Sequence, residues 1–250
     1  MENAQLITLS RATSLARQMD IVANNVANMN TTGYKSENLL FEEFISPEGS
    51  AESFQSGDRD LSFVLDDRTV GNFATGTLET TGSQFDVAIQ GEGFFAVQTP
   101  AGERYTRAGS FTLDSTGQLT THDGNPVLGD GGAPILFEAS DTQISISSNG
   151  TITSANGEIG RLRVVNFEDP QQLNRVGSTL FSAEDAQQIA ADNAKIVQFS
   201  LEGANVDAIS QISQMIEVQR AYDQLANIMR EQNDLRETAI QRLGRVQVNA

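Results

Sequence analysis

A heptad pattern of apolar residues marks the first thirty residues. Apolar side chains recur at alternating intervals of three and four, the spacing of a helix that packs one face against a partner helix. The positions are Leu9, Ala12, Ala16, Met19, Ala23 and Val26. The pattern predicts a helix from about Ala4 to Met29. Gly33 is the predicted C-terminal stop, because glycine tolerates positive φ.

The end of this predicted helix is rich in asparagine. The segment from Ala23 to Lys35 reads ANNVANMNTTGYK, and its amides are Asn24, Asn25, Asn28 and Asn30. Asparagine is a poor helix-interior residue because its side chain competes for backbone hydrogen bonds. Two interpretations follow. Either the amides cap the helix and form a turn, or they fix the register of a partner polypeptide, as a buried Asn does in coiled coils.

The C-terminal region has the same period over a longer distance. Between residues 206 and 246 the only glycine is Gly244 and there is no proline. The apolar seam runs through Met215, Val218, Tyr222, Leu225, Met229, Gln232, Arg236, Ala239, Leu243 and Val246. About forty helical residues would extend roughly 60 Å, more than a compact domain usually buries. This favours a coiled coil with the N-terminal helix, in which Gln232 and Arg236 fix the register; a long solvated helix is the alternative.

The interior changes to a period of two. The runs FDVAI, FFAV, SFTL, PILF, ISIS and RLRVVNF are rich in β-forming residues and are separated by turn residues. They predict a mostly antiparallel β domain, because no helical crossover separates them. Residues 34–79 read as an extended connector with isolated aromatic anchors, namely Phe41, Phe44, Phe54, Phe63 and Phe73.

These elements predict an α+β fold in which N- and C-terminal α-helices pair as a coiled coil and a central, mostly antiparallel β domain lies between them in sequence. The predicted parts are an N-terminal helix over residues 1–33, a connector over 34–79, a β domain over 80–199 and a long C-terminal helix over 200–250. The amphipathic ends indicate assembly rather than an isolated globule.

Charge narrows the possible partners. The net charge is −17 and the pI is about 4.3, which disfavours nucleic acid and anionic membranes as partners. Residues 46–202 carry 22 acidic and 8 basic residues, whereas residues 203–250 carry 6 and 5. The near-neutral ends suit burial in an assembly. No segment is long and apolar enough for membrane insertion, and MENAQLITLS does not read as a cleavable signal peptide.

Catalytic chemistry has little support in the sequence. Cysteine is absent, so thiolate metal sites and cysteine nucleophiles are excluded. The single histidine, His122, lies in a predicted turn, and QGEGFF lacks the lysine and helix of a phosphate loop. We therefore expect no enzyme, no cofactor, no metal and no small-molecule substrate. A hydrolase using two carboxylates and a secreted carbohydrate-binding or adhesin module remain the alternatives.

Three sequence blocks resemble bacterial flagellar basal-body rod proteins. They are ANNVANMNTTGYK, then FDVAIQGEGFFAVQT with RYTRAGSFTLDSTGQLTTHDGNPVLG, and finally LEGANVDAISQISQMIEVQRAYDQLANIM. Each block is shared by rod and hook proteins, but the three in this order are specific to the family and cover nearly the whole chain. The connector LSFVLDDRTVGNFATGTLETTGSQFDVAI is most similar to the proximal rod members; a distal rod or hook-type axial protein is the alternative. The residues YDQL depart from the Asn or Glu that relatives commonly carry after this tyrosine.

The resemblance implies a structural subunit that polymerises into a tubular, periplasm-spanning rod and transmits torque. Its implied partners are copies of itself, other flagellar rod proteins and the flagellar type III export apparatus, which it would use without a cleaved signal peptide. The resemblance and the heptads together give the expected subunit-interaction residues: Leu9, Ala16, Met19, Asn24, Asn25, Asn28, Asn30, Gly33, Tyr34, Met215, Val218, Gln219, Arg220, Tyr222, Leu225, Met229, Gln232, Arg236 and Leu243. The middle block contributes a structural motif of the β domain: Gly91, Gly93, Phe94, Phe95, Tyr105, Arg107, Gly109 and Phe111.

Overall fold

The computed structural model describes residues 2–46, 61–184, 186–191 and 193–246. Helix α1 spans Glu2–Ala27 and helix α2 spans Ala208–Val246 without interruption over 39 residues. Both helices were predicted, but α1 ends earlier than the pattern indicated. Asn28 begins a turn in which the Thr31 N–H donates to the Asn28 carbonyl at 3.0 Å. Gly33 is therefore not the helix stop, although its φ of +69° is positive as expected.

The described residues between the helices form strands and a short 3₁₀ helix, Pro170–Gln172. The strands are β1 Glu37–Ser46, β2 Leu61–Gly71, β3 Leu78–Thr80, β4 Val87–Gln90, β5 Phe94–Thr99, β6 Gly102–Thr106, β7 Phe111–Leu113, β8 Leu119–Thr121, β9 Ser145–Ile146, β10 Thr151–Ser154, β11 Gly157–Arg161, β12 Val164–Phe167, β13 Asn174–Val176, β14 Leu180–Ser182, β15 Gln188–Ala190, β16 Lys195–Gln198 and β17 Ser200–Glu202. Most of the predicted β runs contain a strand. The run PILF forms only isolated bridges, through Pro134 and Leu136.

The described residues fall into two compact units that interleave along the chain. Unit 1 lies within Met1–Val26, Glu37–Val70 and Ala208–Ala250. It contains nearly all of α1, all of α2 and most of the two-stranded β1–β2 sheet. Unit 2 comprises Ala27–Ser36 and Gly71–Asp207. Of the aromatic anchors predicted in the connector, Phe54 lies outside the described residues, as do the side chains of Phe41, Phe44 and Phe63.

Unit 2 is built around a six-stranded sheet with the order β13–β14–β6–β5–β12–β15. All its pairings are antiparallel, which confirms the predicted strand arrangement. Strand β5 is central and apolar on both faces: Phe95 and Val97 pack into one core cluster, and Phe94 and Ala96 into another. A strand buried on both sides reads as a continuous apolar run, which explains the sequence FFAV.

The glycines of QGEGFF form the predicted bend between β4 and β5. Gly91 and Gly93 have φ of +106° and +137°, a conformation that side chains with Cβ rarely adopt. A Cβ on Gly93 would approach the Val164 side chain to 2.8 Å. The bend therefore packs closely against β12, and Gly93 serves that packing. Among the described residues, no helix is long and apolar enough to cross a membrane.

Candidate functional site

Three charged residues from distant parts of the sequence meet inside unit 2. Lys35 Nζ lies 2.6 Å from Glu202 Oε1, and Arg107 Nη1 lies 3.3 Å from Glu202 Oε2. The three side chains are 0%, 3% and 0% exposed for Lys35, Arg107 and Glu202 respectively. We call Lys35, Arg107 and Glu202 the junction cluster. It joins the N-terminal motif, the middle block and the segment that precedes α2.

Backbone groups complete the hydrogen bonding of the junction cluster. Lys35 Nζ donates to the Ala74 carbonyl at 2.7 Å, and the Gly76 N–H donates to Glu202 Oε1 at 2.9 Å. Arg107 Nη2 donates to the Gly91 carbonyl at 2.9 Å. Each charge therefore has several polar partners, as a buried ion needs.

The junction cluster contains two positive charges and one negative charge, because Lys35 and Arg107 share the Glu202 carboxylate. Burial lowers the pKa of Lys35, and the Glu202 carboxylate opposes that shift. Burial lowers the pKa of Arg107 in the same way, again against Glu202. Arg107 Nε finds no hydrogen-bond partner among the described residues, and the guanidinium carbon lies 5.3 Å from the Phe94 ring centroid. Glu202 is therefore the residue on which both buried cations depend.

Gly33 and Tyr34 hold the N-terminal motif against the β strands of unit 2. The Gly33 N–H donates to the Glu202 carbonyl at 2.7 Å. A Cβ at Gly33 would lie only 2.2 Å from the Ala108 backbone nitrogen, so this close approach requires glycine. Tyr34 is 1% exposed, and the Arg175 guanidinium carbon lies 4.7 Å from its ring centroid. This is a cation–π distance.

Two further polar residues secure the same segment. Arg175 also donates to the Lys35 carbonyl and, at 2.5 Å, to the Ser178 carbonyl. Asn205 Oδ1 accepts from the Ser36 N–H at 2.7 Å, and its Nδ2 donates to the Asn72 carbonyl at 2.7 Å. The segment before α2 thus binds, through one amide, the residue that follows the N-terminal motif and the residue that follows β2.

Asn25 has a defined role within unit 1. Its side chain is 1% exposed and pairs with both backbone groups of Glu37. Nδ2 donates to the Glu37 carbonyl at 2.8 Å, and Oδ1 accepts from the Glu37 N–H at 3.0 Å. Nδ2 also donates to Gln211 Oε1 on α2 at 3.1 Å. Asn25 therefore connects α1, the start of β1 and α2.

The other predicted helix residues lie in different environments. Val218 and Leu225 are buried, while Met19, Asn28, Met215, Met229, Gln232 and Arg236 are half-buried. The exposed ones are Leu9, Ala16, Asn24, Asn30, Gln219, Arg220 and Tyr222. Leu243 lies where the structure describes the helix backbone but not the side chain. Val218 and Leu225 of the α2 seam thus face inward, whereas Tyr222, which lies between them in sequence, is 45% exposed.

The predicted motif of the β domain is mostly core. Phe94, Phe95, Tyr105 and Phe111 are buried. A Cβ on Gly109 would approach the Val87 carbonyl oxygen to 1.7 Å. The chain can therefore pass this close to β4 only with glycine at position 109. His122 lies exposed in a turn, as the sequence predicted.

Tyr105 also forms hydrogen bonds through its hydroxyl group. It donates to Glu103 Oε1 at 2.7 Å and accepts from Gln188 Nε2 at 2.6 Å. Burial, followed by the hydrogen bond to Glu103, raises the pKa of Tyr105. The residue therefore combines ring packing with a polar contact between strands.

Sequence reasoning overlooked the polar residues that make these contacts. Lys35 stood at the end of the quoted N-terminal motif, and Glu202 and Gln211 stood inside the quoted C-terminal block without being singled out. Arg175 lies outside all the quoted blocks. Asn205 appeared only as part of the C-terminal block. The sequence offered no clear signal for them: Glu202 ends strand β17, and its burial depends on Lys35 and Arg107, which are remote in sequence.

Comparison with known families matches the three segments that meet in the junction cluster. Residues 6–35 match the family described as flagella basal body rod protein. Residues 88–154 match the flagellar hook protein FlgE/F/G D1 domain, and residues 197–242 match the flagellar basal body rod FlgEFG protein C-terminal family. Each matched segment contributes one member of the cluster.

Full-length relatives agree with these matches. The chain is 37% identical to the flagellar basal-body rod protein FlgF of Caulobacter vibrioides over 248 residues, covering 98% of this chain and 100% of the relative. FlgF of Mesorhizobium japonicum is 31% identical over 246 residues, covering 98% and 99%. FlgG of Caulobacter vibrioides is 31% identical over 235 residues, covering 84% and 88%. The chain belongs to the flagellar basal-body rod protein family. The matches to these two FlgF members cover 98% of this chain.

Proposed function

We propose that this chain is a structural subunit of the flagellar basal-body rod, of the proximal FlgF type. The observation that carries the proposal is the end-to-end match to FlgF, which includes both terminal helices. A rod subunit needs folded parts that do not slip under torque. Burial of the junction cluster supports this role, because it ties three remote segments together without a disulfide.

We further propose that α1 and α2 pair as a coiled coil in the wall of the rod. The hydrogen bond from Asn25 to Gln211 and the burial of Val218 and Leu225 support this pairing. The asparagines would then set the register between helices, since an unmatched buried amide costs about 1 to 3 kcal/mol. The remaining predicted subunit-interaction residues belong to the same proposal.

The remaining parts of the proposal concern how the chain is exported and where it lies. The chain would leave the cytoplasm through the flagellar type III export apparatus, lie in the periplasm-spanning rod and contact copies of itself and other rod proteins. It would catalyse no reaction. The four-part division at residues 33, 79 and 199 also remains a prediction, which limited proteolysis of the folded chain would test.

Deletion of the gene tests the proposed function. Non-motile cells whose basal bodies have truncated or missing rods in electron micrographs would support it, provided that the full chain restores them. Residues 80–199 alone should not restore them, because that fragment lacks Lys35 and Glu202. Normal flagella and normal swimming after deletion would refute the proposal.

A further inference from the structure

Two Asn-Gly pairs occur in the chain, and both lie in turns of unit 2. Asn149-Gly150 lies in the turn before β10, and Asn156-Gly157 lies where the chain turns from β10 into β11. Both asparagines are exposed. Asparagine before glycine is prone to lose its side-chain amide, because glycine has no side chain that keeps its backbone nitrogen away from the preceding residue. The surroundings of each pair therefore decide whether it reacts in the folded chain.

The reaction requires the glycine nitrogen to reach the asparagine side chain. The backbone nitrogen of the glycine attacks the side-chain carbonyl carbon of the asparagine, and a C–N bond forms. The side-chain nitrogen leaves as ammonia with the proton that the glycine nitrogen loses. Water then opens the cyclic imide at either carbonyl group, which gives aspartate or isoaspartate. Because the backbone of the pair must rotate for the ring to close, a pair that is held in place reacts slowly.

The Asn149-Gly150 pair is held in place. Gly150 is buried, and its N–H donates to the Ser147 carbonyl at 2.8 Å. A Cβ on Gly150 would lie 2.9 Å from the Ile196 side chain, so the backbone has little room to rotate. Asn149 Oδ1 accepts from the Ser147 hydroxyl at 2.8 Å and from the Thr151 N–H at 3.1 Å. Ring closure at this pair requires these hydrogen bonds to break and a buried residue to move.

The Asn156-Gly157 pair has open space around it. Gly157 is exposed, and a Cβ on it would meet no other described atom within 4 Å. The Asn156 side-chain nitrogen lies 3.1 Å from Asp141 Oδ1, 3.2 Å from the Ser140 carbonyl and 3.3 Å from the Ser140 hydroxyl. An NH₂ group has two hydrogens, so three contacts at these distances are weak. We propose that Asn156 is a site of spontaneous deamidation in the folded chain, whereas the fold protects Asn149.

The product at position 156 would lose contacts that the product at position 149 would keep. Asn156 acts as a donor, and a carboxylate cannot donate a hydrogen bond. The new negative charge would also lie beside the Asp141 carboxylate, which it repels. Asn149 acts as an acceptor through Oδ1, and an aspartate accepts in the same way. Deamidation of Asn156 therefore loosens the turn between β10 and β11.

Peptide mapping by mass spectrometry of the incubated full-length chain tests the proposal. One sample stays folded in mildly alkaline buffer, and a second is kept in guanidinium chloride at the same pH and temperature. We expect Asn156 to convert at least tenfold faster than Asn149 in the folded sample. The two rates should be similar in the unfolded sample, because both asparagines then precede a free glycine. Asn156→Gln is the control that removes the signal from this turn.

Three results would overturn the proposal. Asn149 could convert as fast as Asn156 in the folded chain, or Asn156 could convert only in the unfolded sample. The tenfold difference could also persist after unfolding, which would assign it to the neighbouring sequence and not to the fold. The proposal does not depend on the proposed function, so either can fail while the other stands.

Product-like variants test the structural consequence in the full-length chain. The Ala155 N–H donates to the Thr142 carbonyl at 2.9 Å, and Asn156→Asp should speed its hydrogen exchange at least threefold. Asn149→Asp, the matched control, should leave exchange of the Thr151 N–H unchanged, because its acceptor oxygen remains. Circular dichroism would confirm that both variants are folded. Unchanged exchange at Ala155 in Asn156→Asp would show that deamidation does not loosen this turn.

Discussion

Replacing Glu202 with glutamine should destabilise unit 2 more than any other single charge-neutralising substitution among its described acidic residues. Glu202→Gln keeps the shape of the side chain but removes the carboxylate that Lys35 and Arg107 share. Breaking a buried ion pair by removing one partner costs about 3 to 5 kcal/mol, because the other charge stays buried. The glutamine carbonyl can still accept one hydrogen bond, so we expect about 3 kcal/mol. In a domain of this size, that lowers the melting temperature by about 6 to 12 °C.

Tyrosine fluorescence can measure the loss of stability in the Glu202→Gln variant. The chain has three tyrosines and no tryptophan, and Tyr34 and Tyr105 are buried in unit 2 while Tyr222 is exposed on α2. Urea unfolding followed by tyrosine fluorescence therefore reports mainly on unit 2. The matched control is Glu79→Gln, because Glu79 is an exposed residue of the neighbouring strand β3. A free energy of unfolding for Glu202→Gln within about 1 kcal/mol of this control would refute the reasoning.

A double-mutant cycle adds a check on the mechanism. Lys35→Met removes one of the two cations, so the cost of Glu202→Gln should fall in that background. We expect the two costs to be non-additive by more than about 1 kcal/mol, as for contacting residues in one network. Additive costs would mean that the two side chains act independently, contrary to the distance of 2.6 Å between them.

Three other substitutions test separate contacts. Asn25→Ala should cost about 1 to 3 kcal/mol and increase hydrogen exchange at the start of β1, whereas Asn30→Ala, which replaces an exposed asparagine after α1, should not; equal exchange in both variants would contradict the role of the Asn25 amide. Gly33→Ala should destabilise unit 2 by more than about 2 kcal/mol in thermal unfolding, while Gly131→Ala, where a Cβ has open space, should be nearly neutral, and similar melting of both would count against it. The raised pKa of Tyr105 means that its stabilising contribution is complete below the ordinary tyrosine pKa near 10 and is lost as the pH rises further. Tyr105→Phe should therefore lose less stability than the unaltered chain between pH 9 and pH 11 in urea titrations, and parallel losses would exclude this explanation.

Local patterns predicted the helices well because periodicity is a local property. The three- and four-residue spacing identified both helices, the alternating run FDVAI identified β4, and the apolar run FFAV identified β5. The end of α1 was misplaced by two residues, because the turn at Asn28 depends on a single backbone hydrogen bond that the heptad pattern does not show. The pattern also gave no warning that PILF would form only bridges.

The junction cluster could not have been predicted in the same way. Lys35 and Glu202 are separated by 167 positions, and Arg107 lies between them in sequence. A single sequence shows where charged residues are, but it does not show which charges become buried together. Asn25 is an intermediate case: its amide was recognised as unusual, while its partner, the backbone of Glu37, depends on how the chain turns after α1.

Complementation followed by electron microscopy of basal bodies tests the central claim most directly. In a strain lacking the gene, we would compare rods restored by the unaltered chain, by Glu79→Gln and by Glu202→Gln. The account predicts complete rods with the first two and truncated rods with Glu202→Gln, because the segments that carry Lys35, Arg107 and Glu202 no longer hold together within unit 2. Complete rods without any version of the chain would contradict its role as a rod subunit. Complete rods with Glu202→Gln would contradict the importance of the junction cluster.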